Sequence, residues 1–223
     1  MIDESPNKRQ LEETVLERAR HETPDQVSAT RSSWAVESAM QDEYHGRFVI
    51  ELLQNARDAW IKANPGRSDG VLRLRLTSDP ALIVCNEGVA LGLKVLLYAI
   101  GRFGEGDKTH GESIGHKGIG FKSVLEVSRC PEIYSCRDSD GFGLRAGFDP
   151  DLARALVRVE TPHWDELVRQ LPSAENPEGG DRIPTLLFPF WLDEEPDWLA
   201  DAGTFDGRTF DTVIRLPDRR AHV

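Results

Sequence analysis

Between Tyr44 and Lys62 the sequence YHGRFVIELLQNARDAWIK repeats its apolar residues at helical spacing. On a wheel of about 100° per residue, Phe48, Val49, Ile50, Leu52, Leu53, Ala56, Ala59, Trp60 and Ile61 take up most of the circumference. Glu51, Asn55 and Asp58 share one narrow polar stripe. A surface helix carries a broad charged face opposite its apolar one. The pattern therefore predicts a helix buried on most sides. Burying an unpartnered carboxylate is costly, so the stripe either lines a cleft holding a cation, a ligand or water, or is a solvated strip bounded by Gln54 and Lys62.

Upstream, Leu11, Val15 and Leu16 mark a short amphipathic helix over Asn7–His21 that Thr23-Pro24 stops, and Ser28–Met40 reads as a second, weaker helix. Downstream, strict alternation over Val71–Thr77 and a continuous apolar run over Ala81–Asn86, joined by Ser78-Asp79-Pro80, predict a β-hairpin. Leu91–Gly101 has helical spacing, and the glycines at 101, 104, 106, 111, 115, 118 and 120 then predict a mobile loop. A helix is expected over Gly118–Val127, and strands over Pro131–Cys136 and Phe142–Phe148 with a turn between them. Leu152–Val159 and Trp164–Leu171 read as helices, and Asn176–Gly180 as a polar loop. Thr185–Trp191 and Thr209–Leu216 read as strands flanking an acidic, Trp-containing loop over Asp193–Gly203. Helices and strands mix without a regular βαβ alternation, which favours an α+β, two-layer sandwich. Residues 1–43 form an N-terminal helical arm in this reading, and 44–223 the main domain.

A length of 223 residues, 39% hydrophobic and 29% charged, suits one ordinary soluble domain. No apolar run reaches membrane-spanning length, and the polar start MIDESPNKRQ lacks a signal-peptide core, so the expected compartment is the cytoplasm, with no membrane partner. Cys85, Cys130 and Cys136 have neither disulfide-framework nor zinc-site spacing. A net charge of −11 makes nucleic acid an unfavourable partner. An anionic ligand would need a local cluster of donors. The stretch GESIGHKGIGFKS, Gly111 to Ser123, offers one: glycines that let the backbone present successive N–H groups, interleaved with His116, Lys117 and Lys122 and opening onto a helix. Phosphate suits such a cluster, although a tight structural loop has the same composition. The order of glycines differs from the dinucleotide fingerprint, and both the P-loop Gly-Lys-Ser/Thr and a kinase catalytic loop are missing from the sequence.

Taken in order, Glu51-x-x-x-Asn55-x-x-Asp58-Ala59, then Asn86-Glu87-Gly88, then Gly115-x-x-Gly118-x-Gly120-Phe121, and Thr212 in a late strand resemble the four ordered motifs of the GHKL ATPases. The wording ELLQNARDA, VCNEG and IGHKGIGFKSV is most similar to the sacsin and NO VEIN-like branch of the heat-shock-chaperone type. The resemblance spans nearly the whole chain. It implies a Bergerat ATP-binding fold, with helices on one face of a mixed, mainly antiparallel sheet. It also implies Mg²⁺-dependent binding of ATP and slow hydrolysis to ADP and phosphate.

By that resemblance Glu51 polarises the attacking water as general base. Asn55 offers a neutral oxygen to a Mg²⁺ that keeps several waters and binds phosphate. Asp58 and Ala59 lie deeper, near the nucleobase, and Gly88 allows close approach to the nucleotide. A lid over about Leu91–Gly115 closes on it, with Lys108 reaching the phosphates. Gly115, His116, Lys117, Gly118, Ile119, Gly120 and Phe121 form the phosphate-binding segment, and Thr212 sits under the adenine with its hydroxyl free. Asn86 stands where many relatives carry an aspartate that accepts the adenine amino proton. Its amide can accept that proton or turn and donate, so the choice between adenine and guanine stays open. The family further implies a homodimer, an unidentified protein client, and a domain that is the N-terminal part of a longer protein whose next domain completes the site. Alternatives are an ATP-sensing interaction module with little hydrolysis, a histidine-kinase-type catalytic domain, for which the 43 residues before Tyr44 are short, and an ATP-free scaffold.

Overall fold

A computed structural model describes residues 5–43, 46–100, 119–139, 141–171 and 182–218, with the side chains of 40–43 and 119 left aside. Helices α1 (Pro6–Ala19), α2 (Pro24–Glu43) and α3 (Phe48–Ala63) lead into the hairpin β1 (Leu72–Leu76) and β2 (Ala81–Asn86). A π-helical turn (Val95–Ile100) follows, and after the Gly-rich segment come α4 (Ile119–Lys122) and a 3₁₀ turn (Ser123–Glu126). The chain continues through β3 (Glu132–Asp138), β4 (Gly141–Gly147), α5 (Pro150–Glu160), α6 (Trp164–Arg169), β5 (Phe190–Trp191), α7 (Asp197–Ala202), the small pair β6 (Thr204–Phe205) and β7 (Arg208–Thr209), and β8 (Thr212–Pro217).

Six strands form one sheet in the order β1-β2-β8-β3-β4-β5. Each of these pairings is antiparallel, so the described sheet is not mixed. The fold is an α+β sandwich. Leu11, Val15 and Ala19 of α1, Val27 of α2 and Leu52 of α3 pack with Val84, Ile133, Leu144 and Ile214 of the inner sheet face into one core. The first two helices thus belong to the same core as the rest. His21, at the α1–α2 corner, fixes them: its ring contacts Thr30 Oγ1 at 2.8 Å, and its backbone N–H donates to Thr161 Oγ1 at 2.9 Å. On the opposite sheet face, Ile83, Cys85, Tyr134 and Val213 meet Leu199, Ala202 and Phe210.

Several expectations need correction. The first helix ends before Thr23-Pro24 as expected, but the second starts at Pro24 and not at Ser28, since the fixed φ and missing N–H of proline suit a first helical position. Helix α3 is not buried on most sides: only Leu52 and Ala56 are fully covered, while Ile50 is 54% exposed, Leu53 43% and Ile61 40%. Among the described elements it packs on β2, the second strand of the sheet, and on α4 and the 3₁₀ turn. The expected strand Thr185–Trp191 shrinks to Phe190–Trp191. The Thr185 and Leu186 N–H groups go to the Glu37 carboxylate, and Pro189 has no N–H to give a ladder. The Asp193–Gly203 loop contains α7, whose Leu199 and Ala202 are buried. The helix expected over Gly118–Val127 is one α-turn followed by a 3₁₀ turn. Ser123 Oγ donates to the Gly120 carbonyl at 2.6 Å, competing for the acceptor a continuing α-helix would use.

Candidate functional site

The polar stripe of α3 does line a cavity, of about 340 Å³, which lies within the size range of small-molecule sites. Glu51, Asn55, Asp58, Ala59 and Lys62 supply the helix wall, and Asn86, Thr212 and Ile214 the sheet wall. Gly120 and Phe121 close one end, and Val95, Ala99 and Ile100 of the π-helical turn another. Three separate stretches singled out in the sequence therefore meet in one place. Lys108, Gly115, His116, Lys117 and Gly118, with most of the expected lid and phosphate-binding segment, lie outside the described residues. Ile119 is described only as the first residue of α4.

The local geometry explains why small residues stand where they do. Gly88 adopts φ +121°, and a methyl group on it would stand 2.5 Å from the Ala59 carbonyl. That close approach lets the Val89 N–H donate to the Ala59 carbonyl at 3.0 Å, fixing the end of β2 against α3. On its other side Gly88 N–H donates to Asp211 Oδ2 at 2.8 Å, and Asp211 N–H returns to the Asn86 carbonyl at 3.0 Å. Gly120 comes so near the Glu51 carboxylate that any side chain there would collide with it.

Asn86, Thr212 and Ser135 form a polar row across three neighbouring strands, because Thr212 pairs in register with both of the others. All three are buried. Asn86 Nδ2 donates to the Glu87 carbonyl at 3.2 Å, which leaves Oδ1 as its open acceptor. The Thr212 hydroxyl already has a protein neighbour: its Oγ1 lies 2.7 Å from Ser135 Oγ, which in turn accepts the Leu91 N–H at 2.8 Å. Asn55 and Glu51 have no side-chain hydrogen bond or ion pair with any described residue, and Arg57 lies 3.6 Å from Asp58.

Lys62, Ser135 and Asp211 were missed. Lys62 is the one cation among the described lining residues and follows Asp58 by one helical turn, a signal that was legible. Ser135 and Asp211 reach the site only through strand register. Among the described residues no cluster of three or more His, Cys, Asp or Glu could cage a metal. Asn55 brings an amide oxygen to the cavity beside the carboxylates of Glu51 and Asp58. Among the described residues α4 starts at Ile119 and is a single turn. No described helix is long and apolar enough to cross a membrane. Compared with models of known protein families and with curated proteins, the chain finds no match.

Proposed function

We propose that this chain is a GHKL-type, Bergerat-fold domain that binds ATP with Mg²⁺ between α3 and the sheet and hydrolyses it slowly. The observation that carries the reading is the convergence of Glu51, Asn55, Asp58 and Ala59 with Asn86, Thr212 and Gly120 on one cavity. Asn86 Oδ1 and the Thr212 hydroxyl receive the nucleobase, Asn55 faces the metal and phosphates, and Glu51 activates water. Bound Mg²⁺ would neutralise phosphate charge beside two carboxylates, and Lys62 adds one positive charge on the same wall. The three free cysteines suit the reducing cytoplasm, where ATP is abundant.

Calorimetric titration with ATP, with and without a chelator, tests the binding. Affinity should depend on Mg²⁺, and Asn55→Ala should weaken ATP more than adenosine. Equal affinity in both buffers would remove the metal role of Asn55, and no binding at all would remove the reading. Glu51→Ala should retain ATP while hydrolysis falls by about 10²- to 10⁴-fold, the usual contribution of a general base. A second reading, an ATP-sensing module with little hydrolysis, takes its place if the parent itself turns over no faster than Glu51→Ala.

A further inference from the structure

The π-helical wall of the cavity is held from outside by two cations that do not line it. Its turn, Val95–Ile100, contributes Val95, Ala99 and Ile100 to the lining. A π-helix bonds across five residues, and such turns are rare and frequently found at functional sites. Lys122 of α4, only 3% exposed, donates from Nζ to the Ile100 carbonyl at 2.8 Å. Arg18 of α1 donates to the Leu97 carbonyl at 2.8 Å and to the Leu187 carbonyl at 3.2 Å. Behind Lys122 stands Glu37 of α2, also 3% exposed, whose two oxygens accept the Thr185 and Leu186 N–H groups at 2.7 and 2.9 Å.

Burying a lysine this completely is costly unless something requires its charge. A neutral side chain could fill the same space without that cost. What Lys122 supplies is a charged donor joining Ile100, on one side of the cavity, to the helix that bears Gly120 and Phe121 on the other. Burial lowers the Lys122 pKa and raises that of Glu37 to about 7, while the attraction between the two charges opposes both shifts. Attraction to Glu37 thus helps to hold the Lys122 charge, and Glu37 is itself tied to the 185–186 backbone.

We propose that Lys122 and Arg18 are positioning residues for the cavity: by binding the Ile100 and Leu97 carbonyls they fix the π-helical wall, and so make the two N-terminal helices part of the ligand-binding apparatus. The affinity part rests on the nucleotide reading above; the wall itself does not. Two measurements on the full chain separate them. In the first, hydrogen exchange without ligand is compared for the parent, Lys122→Met and Arg18→Met. Amides 95–100 should exchange at least tenfold faster in both variants, with little change in β3 and β4. In the second, ATP with Mg²⁺ is titrated into each protein, with Leu199→Ala on the opposite sheet face as a matched destabilised control. Both cation variants should bind about tenfold more weakly, and the control should bind as the parent does. Absence of ATP binding by the parent overturns the nucleotide reading alone, because the exchange experiment still decides the wall. Unchanged exchange at 95–100 in either folded variant overturns the proposal, as does parental ATP affinity in one. If Lys122→Met does not fold, the half-buried Arg18 variant decides both measurements.

Discussion

Replacing Gly88 with alanine tests whether the site depends on the close approach of β2's end to α3. The new methyl would lie 2.5 Å from the Ala59 carbonyl carbon and oxygen and 2.6 Å from the Trp60 nitrogen, all backbone atoms that no rotamer change can move. The turn must therefore withdraw from α3 by about 1 Å to reach ordinary van der Waals separation. Withdrawal breaks the 3.0 Å bond from Val89 N–H to the Ala59 carbonyl, a loss of about 1 kcal/mol. Holding alanine at φ +121° adds roughly 1–3 kcal/mol of backbone strain. The expected destabilisation is about 3 kcal/mol, which for a domain of this size lowers Tm by roughly 6–12 °C. Urea unfolding followed by circular dichroism measures it. Gly66→Ala is the control, because Gly66 also has positive φ, +81°, but nothing within 4 Å of the added methyl. It should cost only the strain. If Gly88→Ala is no more destabilising than Gly66→Ala, the contact with Ala59 does not constrain the turn and the packing account of the site is wrong.

Gly120→Ala should act on chemistry more than on stability. Its methyl meets the end of the flexible Glu51 side chain, so the carboxylate moves aside, and hydrolysis should fall at least tenfold while ATP affinity stays within about threefold; unchanged turnover would argue that Glu51 is not the base. Glu37 predicts a pH dependence. Its carboxyl is pushed from 4.5 up to about 7 by burial, so between those values the folded state holds a proton that the unfolded state has released. Its contribution is fully present below pH 4.5 and is lost as pH rises through 7, by about 3 kcal/mol. The stability of the parent minus that of Glu37→Gln should fall by that amount between pH 4.5 and 7.5; a flat difference would place the Glu37 pKa near its ordinary value.

The helix wall of the site was legible because it is local. Glu51, Asn55 and Asp58 share a stripe by helical spacing alone, and that spacing holds whatever packs around it. The hairpin before Gly88 was legible for a similar reason, since alternation and turn residues specify β1 and β2 without reference to the rest of the chain. The periodicity of α3 did not show which apolar residues would be covered. Ile50, Leu53 and Ile61 are as apolar as Leu52, and only the way α3 packs on β2 and α4 leaves them exposed. The segment before β5 misled for a different reason. Its apolar run reads as a strand, but its N–H groups are taken by Glu37, some 150 positions away.

The sheet wall shows most sharply what register adds. Nothing in the sequence joins Ser135 to Thr212; they meet because β3 and β8 pair at that position, and Asn86 meets Thr212 because β2 and β8 do. Once placed, the hydroxyls can be counted. Ser135 Oγ accepts the Leu91 N–H and has one proton, which can go to the Asp211 carbonyl at 3.3 Å or to Thr212 Oγ1 at 2.7 Å. In the first arrangement Thr212 donates to Ser135 and offers the cavity only a lone pair. In the second, Thr212 accepts from Ser135, and its own proton is released toward the cavity. A ligand acceptor beside Thr212 selects the second arrangement and a ligand donor the first, with no heavy atom moving. Asn86 is more constrained, because one N–H of its Nδ2 is held by the Glu87 carbonyl, which leaves its Oδ1 and its second N–H unengaged among the described residues. The row therefore presents an amide oxygen held by one bond beside a hydroxyl of either sense. On the nucleotide reading proposed above, Asn86 Oδ1 suits a base edge carrying an exocyclic amino group, as adenine has, with Thr212 supplying whichever sense the neighbouring ring nitrogen requires.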